Sequence, residues 1–152
     1  MTFDLSYPIL YELGYEVAVS EWLIGQIREI YNIETEFRDD GQVKPLDDCI
    51  RAILFRNVRE LLTNVVKHAN AQKIEVSVCK VDGDICVIVK DDGVGFEPSE
   101  VVSHSGLGIF SIRERLEQLD GHLEIESEPG LGSRFMMKAP LKFKKCSEGV
   151  ET

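Results

Sequence analysis

Positive charge is what this chain has least to spare. Seventeen Lys and Arg stand against 27 Asp and Glu in 152 residues, a formal net charge of −10. A nucleic-acid surface needs clustered positive charge, and so does a patch for anionic lipid, so the balance argues against both partner classes. Long apolar runs are missing as well: none approaches the ~20 residues that span a bilayer. Asp4 and Pro8 interrupt the start, and no small-residue cleavage site of a signal peptide follows. Cysteine is sparse, at Cys49, Cys79, Cys86 and Cys146. None forms a CxxC pair or lies beside suitably spaced histidines, so the expectation is reduced structural thiols in a cytoplasmic protein. No GxxxxGK[ST] string occurs, which excludes a P-loop. Around His104 and His122 there is no nucleophile-elbow context for a Ser/His/Asp hydrolase.

What is present describes a globular domain. Hydrophobic content of 43% and charged content of 29% suit one domain with a single core. Residues 16–31 carry Val17, Val19, Trp22, Leu23, Ile27 and Ile30 in helical rhythm. Ile33 to Phe37 reads as a short strand closed by Asp39-Asp40-Gly41. From Leu46 to Ala69 no Gly or Pro breaks a helix, and one apolar face repeats at three- and four-residue steps. Lys73 to Lys80 alternates as a half-buried strand, Asp82-Gly83 turns, and Ile85 to Lys90 returns. Helical spacing resumes at Ile109, Ile112, Leu116 and Leu119, with Gly121 as the expected C-cap. His122 to Glu128 and Ser133 to Ala139 are two more strands around Pro129-Gly130-Leu131-Gly132. This order predicts an α/β sandwich, a largely antiparallel sheet with helices on one face.

Three clusters carry chemistry. On the long helix Glu60, Asn64, Lys67 and His68 fall at i, i+4, i+7 and i+8 and share one side, opposite Leu61, Leu62, Val65 and Ala69. Such a stripe is ordinarily a solvated face. Here, though, an Asn oxygen suits Mg²⁺, which takes one or two protein ligands beside substrate phosphates. A Glu one turn earlier can act as general base, and a Lys can neutralise phosphate charge. The second cluster follows from strand register. A two-residue turn at Asp82-Gly83 pairs Val78 with Val87, Val76 with Val89 and Ile74 with Asp91, with Glu75 against Lys90 as a supporting ion pair. Asp91 then points to the helix-covered face and needs a donor there. The amine of adenine is one; capping its own turn is the plainer alternative. The third cluster is glycine. Gly93 and Gly95 allow close backbone approach to a ligand, and Gly106 and Gly108 precede a helix whose N-terminal amides can cradle an anion.

Taken together, these strings resemble the GHKL ATPase superfamily, whose members share the Bergerat ATP-binding fold. Glu60 to Ala69 is similar to its N box. Asp91-x-Gly93-x-Gly95 is similar to its first glycine box, and Ser105-Gly106-Leu107-Gly108-Ile109 to its second. Gly130-Leu131-Gly132-Ser133 is similar to the last box, with Ser133 where threonine is common. The sensor histidine kinases of the nitrate/nitrite and desaturase-thermosensor branch resemble the chain further. The strings are Asp4 to Gly14 with Trp22-Leu23, Thr63 to Ala69, and Ile112-Arg113-Glu114-Arg115. The similarity runs from about Asp4 to Leu141.

The resemblance implies a domain that binds Mg-ATP and passes the γ-phosphoryl group to a histidine on a dimerisation helix, from which it moves to a response regulator. Carried over by position, Glu60, Lys67 and His68 would be catalytic: Glu60 as base or polariser, Lys67 and His68 beside the phosphates. Asn64 would hold magnesium and the nucleotide. Asp91, Gly93, Gly95, Gly106, Leu107, Gly108 and Ser133 would complete the ATP site, with 97–105 as lid. The phosphoacceptor segment itself is missing, because His68, His104 and His122 all lie in the ATP-binding region. The expectation is a fragment of a larger, homodimeric kinase, itself monomeric: 1–15 a linker remnant, 16–141 the catalytic domain, 142–152 a frayed tail. A stand-alone switch of the same fold, such as an anti-sigma serine kinase, and a non-catalytic nucleotide sensor are the alternatives.

Overall fold

The computed structural model describes residues 8–95 and 109–142. Its helices are α1 (Ile9–Glu12), α2 (Tyr15–Trp22), α3 (Glu29–Tyr31), α4 (Asp48–His68) and α5 (Ile109–Gln118). The strands are β1 (Glu34–Asp39), β2 (Lys73–Val81), β3 (Asp84–Asp91), β4 (His122–Ser127) and β5 (Ser133–Pro140). They form one five-stranded sheet in the order β1-β2-β3-β5-β4. β1 runs parallel to β2, and every other pairing is antiparallel. The expected two-layer architecture is what forms, a mixed sheet with helices on one face.

Alternation decides which face is covered. Ile74, Val76 and Val78 of β2 point the same way as Ile85, Val87 and Val89 of β3 and Phe135, Met137 and Ala139 of β5, and all are buried. Against them α4 lays Ile50, Leu54, Phe55, Val58, Leu61, Leu62 and Val65. The expected register is observed: Val76 pairs with Val89, Glu75 with Lys90 and Ile74 with Asp91. The core also reaches toward the N-terminus. Leu10 is fully buried, and the buried Tyr15 donates its hydroxyl to the Leu54 carbonyl, 3.2 Å.

Three details differ from the sequence reading. The stretch from Tyr15 to Tyr31 is helical, but it widens into a π-helical section at Leu23–Arg28 around Gly25. At the end of α5 the left-handed residue is Asp120 (φ 62), not Gly121. Gly121 N–H bonds the Leu116 carbonyl at 2.7 Å and Asp120 N–H the Glu117 carbonyl at 3.1 Å, a Schellman closure with glycine one place later. Glycine is required there because a Cβ would lie 2.2 Å from the Lys138 carbonyl oxygen. Cys79 and Cys86 are free, but Cys49 is disulfide-bonded. CxxC spacing says nothing about cysteines far apart in sequence, since pairing needs only spatial proximity.

The β1–α4 connection is pinned by one buried cation. The Lys44 ammonium, wholly covered, lies 2.6 Å from Asp39 and 3.6 Å from Glu16, and also bonds Asp40 and the Gln42 carbonyl. That cluster ties the connection to α2 through Glu16 and to the end of β1 through Asp39.

Candidate nucleotide site

The site forms where β3 ends, β5 begins and α4 finishes. Register places Asp91 directly across from Ser133 on the covered face. Asp91 is 4% exposed. Its Oδ1 accepts the Gly93 N–H at 2.8 Å, and its Oδ2 accepts the Ser133 hydroxyl. The turn cap and the buried acceptor are therefore the same side chain. Next to it, Asp92 Oδ1 accepts the Gln72 and Lys73 N–H groups at 2.8 and 3.0 Å. The Lys73 amide above all holds the Asp92 carboxyl below the usual range.

Beside this corner opens a small cleft of about 70 Å³. Leu61, Val65 and Ala69 form one apolar wall, and Ile109 and Phe135 the other; Asn64, His68, Gly95 and Ser133 complete it. Ser133 lines the cleft directly, with Asp91 behind its hydroxyl. An apolar cleft with a buried hydroxyl–carboxylate pair at one end offers an acceptor to a ligand that carries a donor.

A second, more open groove of about 470 Å³ adjoins it, lined by Trp22, Arg56, Arg59, Glu60, Thr63 and Asn64. Asn64 lines both and is the hinge between them. Glu60 does not stand free in its groove. Its Oε2 accepts Arg56 Nε at 3.0 Å and its Oε1 accepts Arg115 Nη1 at 3.0 Å. Partial burial works against its charge, but the two guanidiniums, Arg115 foremost, outweigh that and hold its carboxyl below the usual range. A carboxylate so held is a weak proton acceptor until a guanidinium moves away.

The remaining site residues divide. Lys67 is exposed and lines neither cleft, whereas the exposed His68 borders the apolar one. Gly106, Leu107 and Gly108, and the expected lid at 97–105, lie outside the described residues. Gly93 and Gly95 have a different immediate reason from the one expected. A Cβ on Gly93 would lie 2.1 Å from the Ala69 carbonyl oxygen, and one on Gly95 (φ +67) 2.0 Å from the Glu128 carbonyl oxygen. The Val94 N–H bonds that Ala69 carbonyl at 2.7 Å. These glycines let the loop pack on its own chain, which sets the rim of the cleft.

Sequence reasoning assigned no role to Arg115, Arg56 or Asn57. Arg115 Nη1 also donates to Asn57 Oδ1 at 2.9 Å. The Ile112-Arg113-Glu114-Arg115 string is visible as a motif, but nothing in it names a partner on α4.

The oxygen donor at Asn64 suits a hard cation shared with phosphate. Among the described residues no group of three His, Cys, Asp or Glu gathers that could hold a metal by itself. No described helix is long and apolar enough to cross a membrane.

The family model for histidine kinase-, DNA gyrase B-, and HSP90-like ATPases matches residues 50–143. The chain is 32% identical over 130 residues, 85% of its length, to the sensor histidine kinase ComP of Bacillus subtilis. To the oxygen sensor histidine kinase NreB of Staphylococcus carnosus it is 28% identical over 141 residues, 93% of its length. The chain spans 17% and 40% of those two proteins. Among solved structures, the catalytic domain of histidine kinase ThkA superposes with a TM-score of 0.68 at 20% identity, covering 86% of this chain and 93% of that one. The histidine kinase domain of the Erythrobacter litoralis EL346 blue-light activated kinase gives 0.69 at 20% identity, covering 84% and 61%.

Proposed function

The chain belongs to the family of histidine kinase-, DNA gyrase B- and HSP90-like ATPases, as a histidine kinase catalytic domain, and we propose that it binds Mg-ATP and transfers the γ-phosphoryl group to a histidine on a separate dimerisation helix. The observation that carries this reading is the junction of two clefts at Asn64. On one side lies an apolar slot closed by the Asp91–Ser133 pair; on the other, a polar groove holding Glu60.

In this reading the adenine ring lies between Val65, Ala69 and Phe135, with its amine directed to Asp91 through the Ser133 corner. Excluding water from those apolar walls orients the nucleotide, and its phosphates then run past Asn64 toward Glu60. Asn64 supplies the protein oxygen for magnesium, which neutralises phosphate charge when bound. His68, one turn beyond Asn64, borders the apolar cleft rather than the phosphate path, and Lys67 lines neither cleft. Glu60 faces the incoming phosphoacceptor. The phosphate then passes to a response regulator, and the whole kinase acts as a dimer in the cytoplasm.

The test is direct. Calorimetry should find ATP and ADP binding that strengthens with Mg²⁺. Incubation with γ-labelled ATP should leave this chain unlabelled, and adding a helical histidine domain should produce acid-labile label on that domain. Label on a serine of a small antagonist protein instead would favour the switch-protein alternative. Absence of any ATP binding would overturn the reading.

A further inference from the structure

Arg115 reaches from α5 to two positions one turn apart on α4. One nitrogen, Nη1, serves both Asn57 Oδ1 at 2.9 Å and Glu60 Oε1 at 3.0 Å. Asn57 is fully buried, and its amide nitrogen has no hydrogen-bond partner among the described residues. A buried carboxamide is costly to leave unmatched, so its oxygen gives the guanidinium a fixed anchorage. The Arg115 side chain is only 19% exposed. Glu60's other oxygen is held differently. Arg56 lies on the same helix at i, i+4 with its side chain 60% exposed, the kind of pair that solvent screens and thermal motion opens.

The two contacts are therefore unequal: one firm and from another helix, one loose and from the same helix. Asn57, Glu60 and Asn64 follow one another at three- and four-residue steps on α4, a single ridge ending at the hinge of the two clefts. α5 begins at Ile109, directly after the segment that bears Gly106 and Gly108, and Arg115 sits within its second turn.

We infer that Arg115 is the positioning residue for Glu60: anchored on Asn57, it fixes the carboxylate through Oε1 and leaves Oε2, bonded by the exposed Arg56, as the oxygen presented to the phosphoacceptor. This rests on the reading of the site as a phosphoryl-transfer centre. It adds a mechanical link, because any shift of α5 is felt at Glu60 through one guanidinium.

The groups that face Glu60 are Arg115 from α5 and Arg56 from α4. Two measurements separate this inference from the function it rests on. The first needs no activity: carbon-detected NMR titration of the Glu60 carboxyl in this chain without nucleotide. Arg115→Gln should move its midpoint upward more than Arg56→Gln does. If Arg56→Gln moves it as much or more, Arg115 is not the anchor and the inference fails.

The second is single-turnover transfer to a helical histidine domain, with ATP affinity measured in parallel. Arg115→Gln should slow transfer by roughly ten- to a hundredfold, the scale of a misplaced reacting group, while ATP affinity stays within about twofold. Arg115→Lys keeps a charge but lacks the planar fork, so it should restore only part of the rate. The double variant Arg115→Gln/Glu60→Gln should be no slower than Glu60→Gln alone, because Arg115 acts through Glu60. Additive losses, or rate and affinity falling together with melting temperature, would mean that Arg115 merely holds two helices together. A wild-type chain that transfers to no histidine would instead bring down the phosphotransfer reading, and the titration would still judge the anchor.

Discussion

Changing Asp91 to Asn alters one atom at the buried end of the apolar cleft, and the structure says what that atom does. In the native chain Oδ1 accepts the Gly93 N–H at 2.8 Å and Oδ2 accepts the Ser133 hydroxyl. In Asp91→Asn the amide oxygen can keep the Gly93 N–H. The new NH₂ then faces Ser133, whose hydroxyl turns from donor to acceptor. Every internal hydrogen bond has a replacement, so the folding cost should stay within about 1 kcal/mol. In the proposed binding mode the adenine amine fares worse. It loses a charge-assisted acceptor and meets a donor, a loss on the order of 1.5–3 kcal/mol. At ~1.4 kcal/mol per factor of ten, ATP affinity should fall roughly ten- to a hundredfold. Guanine carries a carbonyl at the same ring position, which an NH₂ group accepts, so the preference for ATP over GTP should narrow.

Calorimetric titration of both nucleotides into native chain and variant, beside a melting curve, makes the measurement. Ser133→Ala is the control, since it removes the internal donor to Oδ2 and leaves the carboxylate. Its ATP-over-GTP preference should survive. The reasoning is refuted if Asp91→Asn melts lower yet keeps its nucleotide preference, for then Asp91 only caps the turn at Gly93.

Three further outcomes are expected. Glu60→Gln should keep ATP affinity, while transfer to a histidine domain slows ~10²-fold or more if Glu60 accepts a proton; Asn64→Asp should disturb Mg²⁺-dependent binding instead, and equal binding losses in both would contradict that division. Gly95→Ala should lower stability by at least about 1–3 kcal/mol even without nucleotide, because φ +67 and the Glu128 carbonyl oxygen both oppose a Cβ; an unchanged melting temperature with weaker ATP binding would show that the glycine serves the ligand alone. Stability against pH should be flat between about pH 5 and 9 and fall outside that window. Glu60, Asp92 and Asp40 have depressed carboxyls, so their contribution is complete above the ordinary carboxylate values and lost as pH falls through the depressed ones. Burial and the neighbouring Cys79 push the Cys86 thiol from 9.0 up to about 11, so its contribution fades as pH rises across that interval. Denaturant midpoints measured from pH 3 to 11 would reveal a monotonic trend if this is wrong.

The sheet was legible wherever local chemistry specifies register. Asp82-Gly83 admits one tight turn, and a tight turn leaves β2 and β3 one pairing that keeps Ile74, Val76 and Val78 covered. Asp91's burial follows from that arithmetic alone. The parallel pairing of β1 with β2 was not legible, because α4 intervenes and no turn residue encodes which edge a strand joins after a helical crossover. Asp120 in the left-handed position was missed for a related reason. Gly121 attracts the assignment, but its missing Cβ answers to Lys138, 17 residues further along the chain.

The same limit falls on the site, and there it bears on mechanism. Sequence spacing puts Glu60 and Asn64 on one helical stripe because both belong to α4, and it lets a carboxylate on that stripe be read as a free base. Whether it is free depends on Arg115, 55 residues away, whose own helix reveals its buried side through Ile112 and Leu116 but not the neighbour it meets. With two guanidiniums on its oxygens, Glu60 is an oriented anion before it is a base. The two guanidiniums disfavour protonation of Glu60, and the exposed Arg56 contact opens at less cost than that of the largely buried, doubly bonded Arg115. The charge on Glu60 is thus held by a contact between two helices, and under the proposed function the geometry of that contact would govern when Glu60 acts.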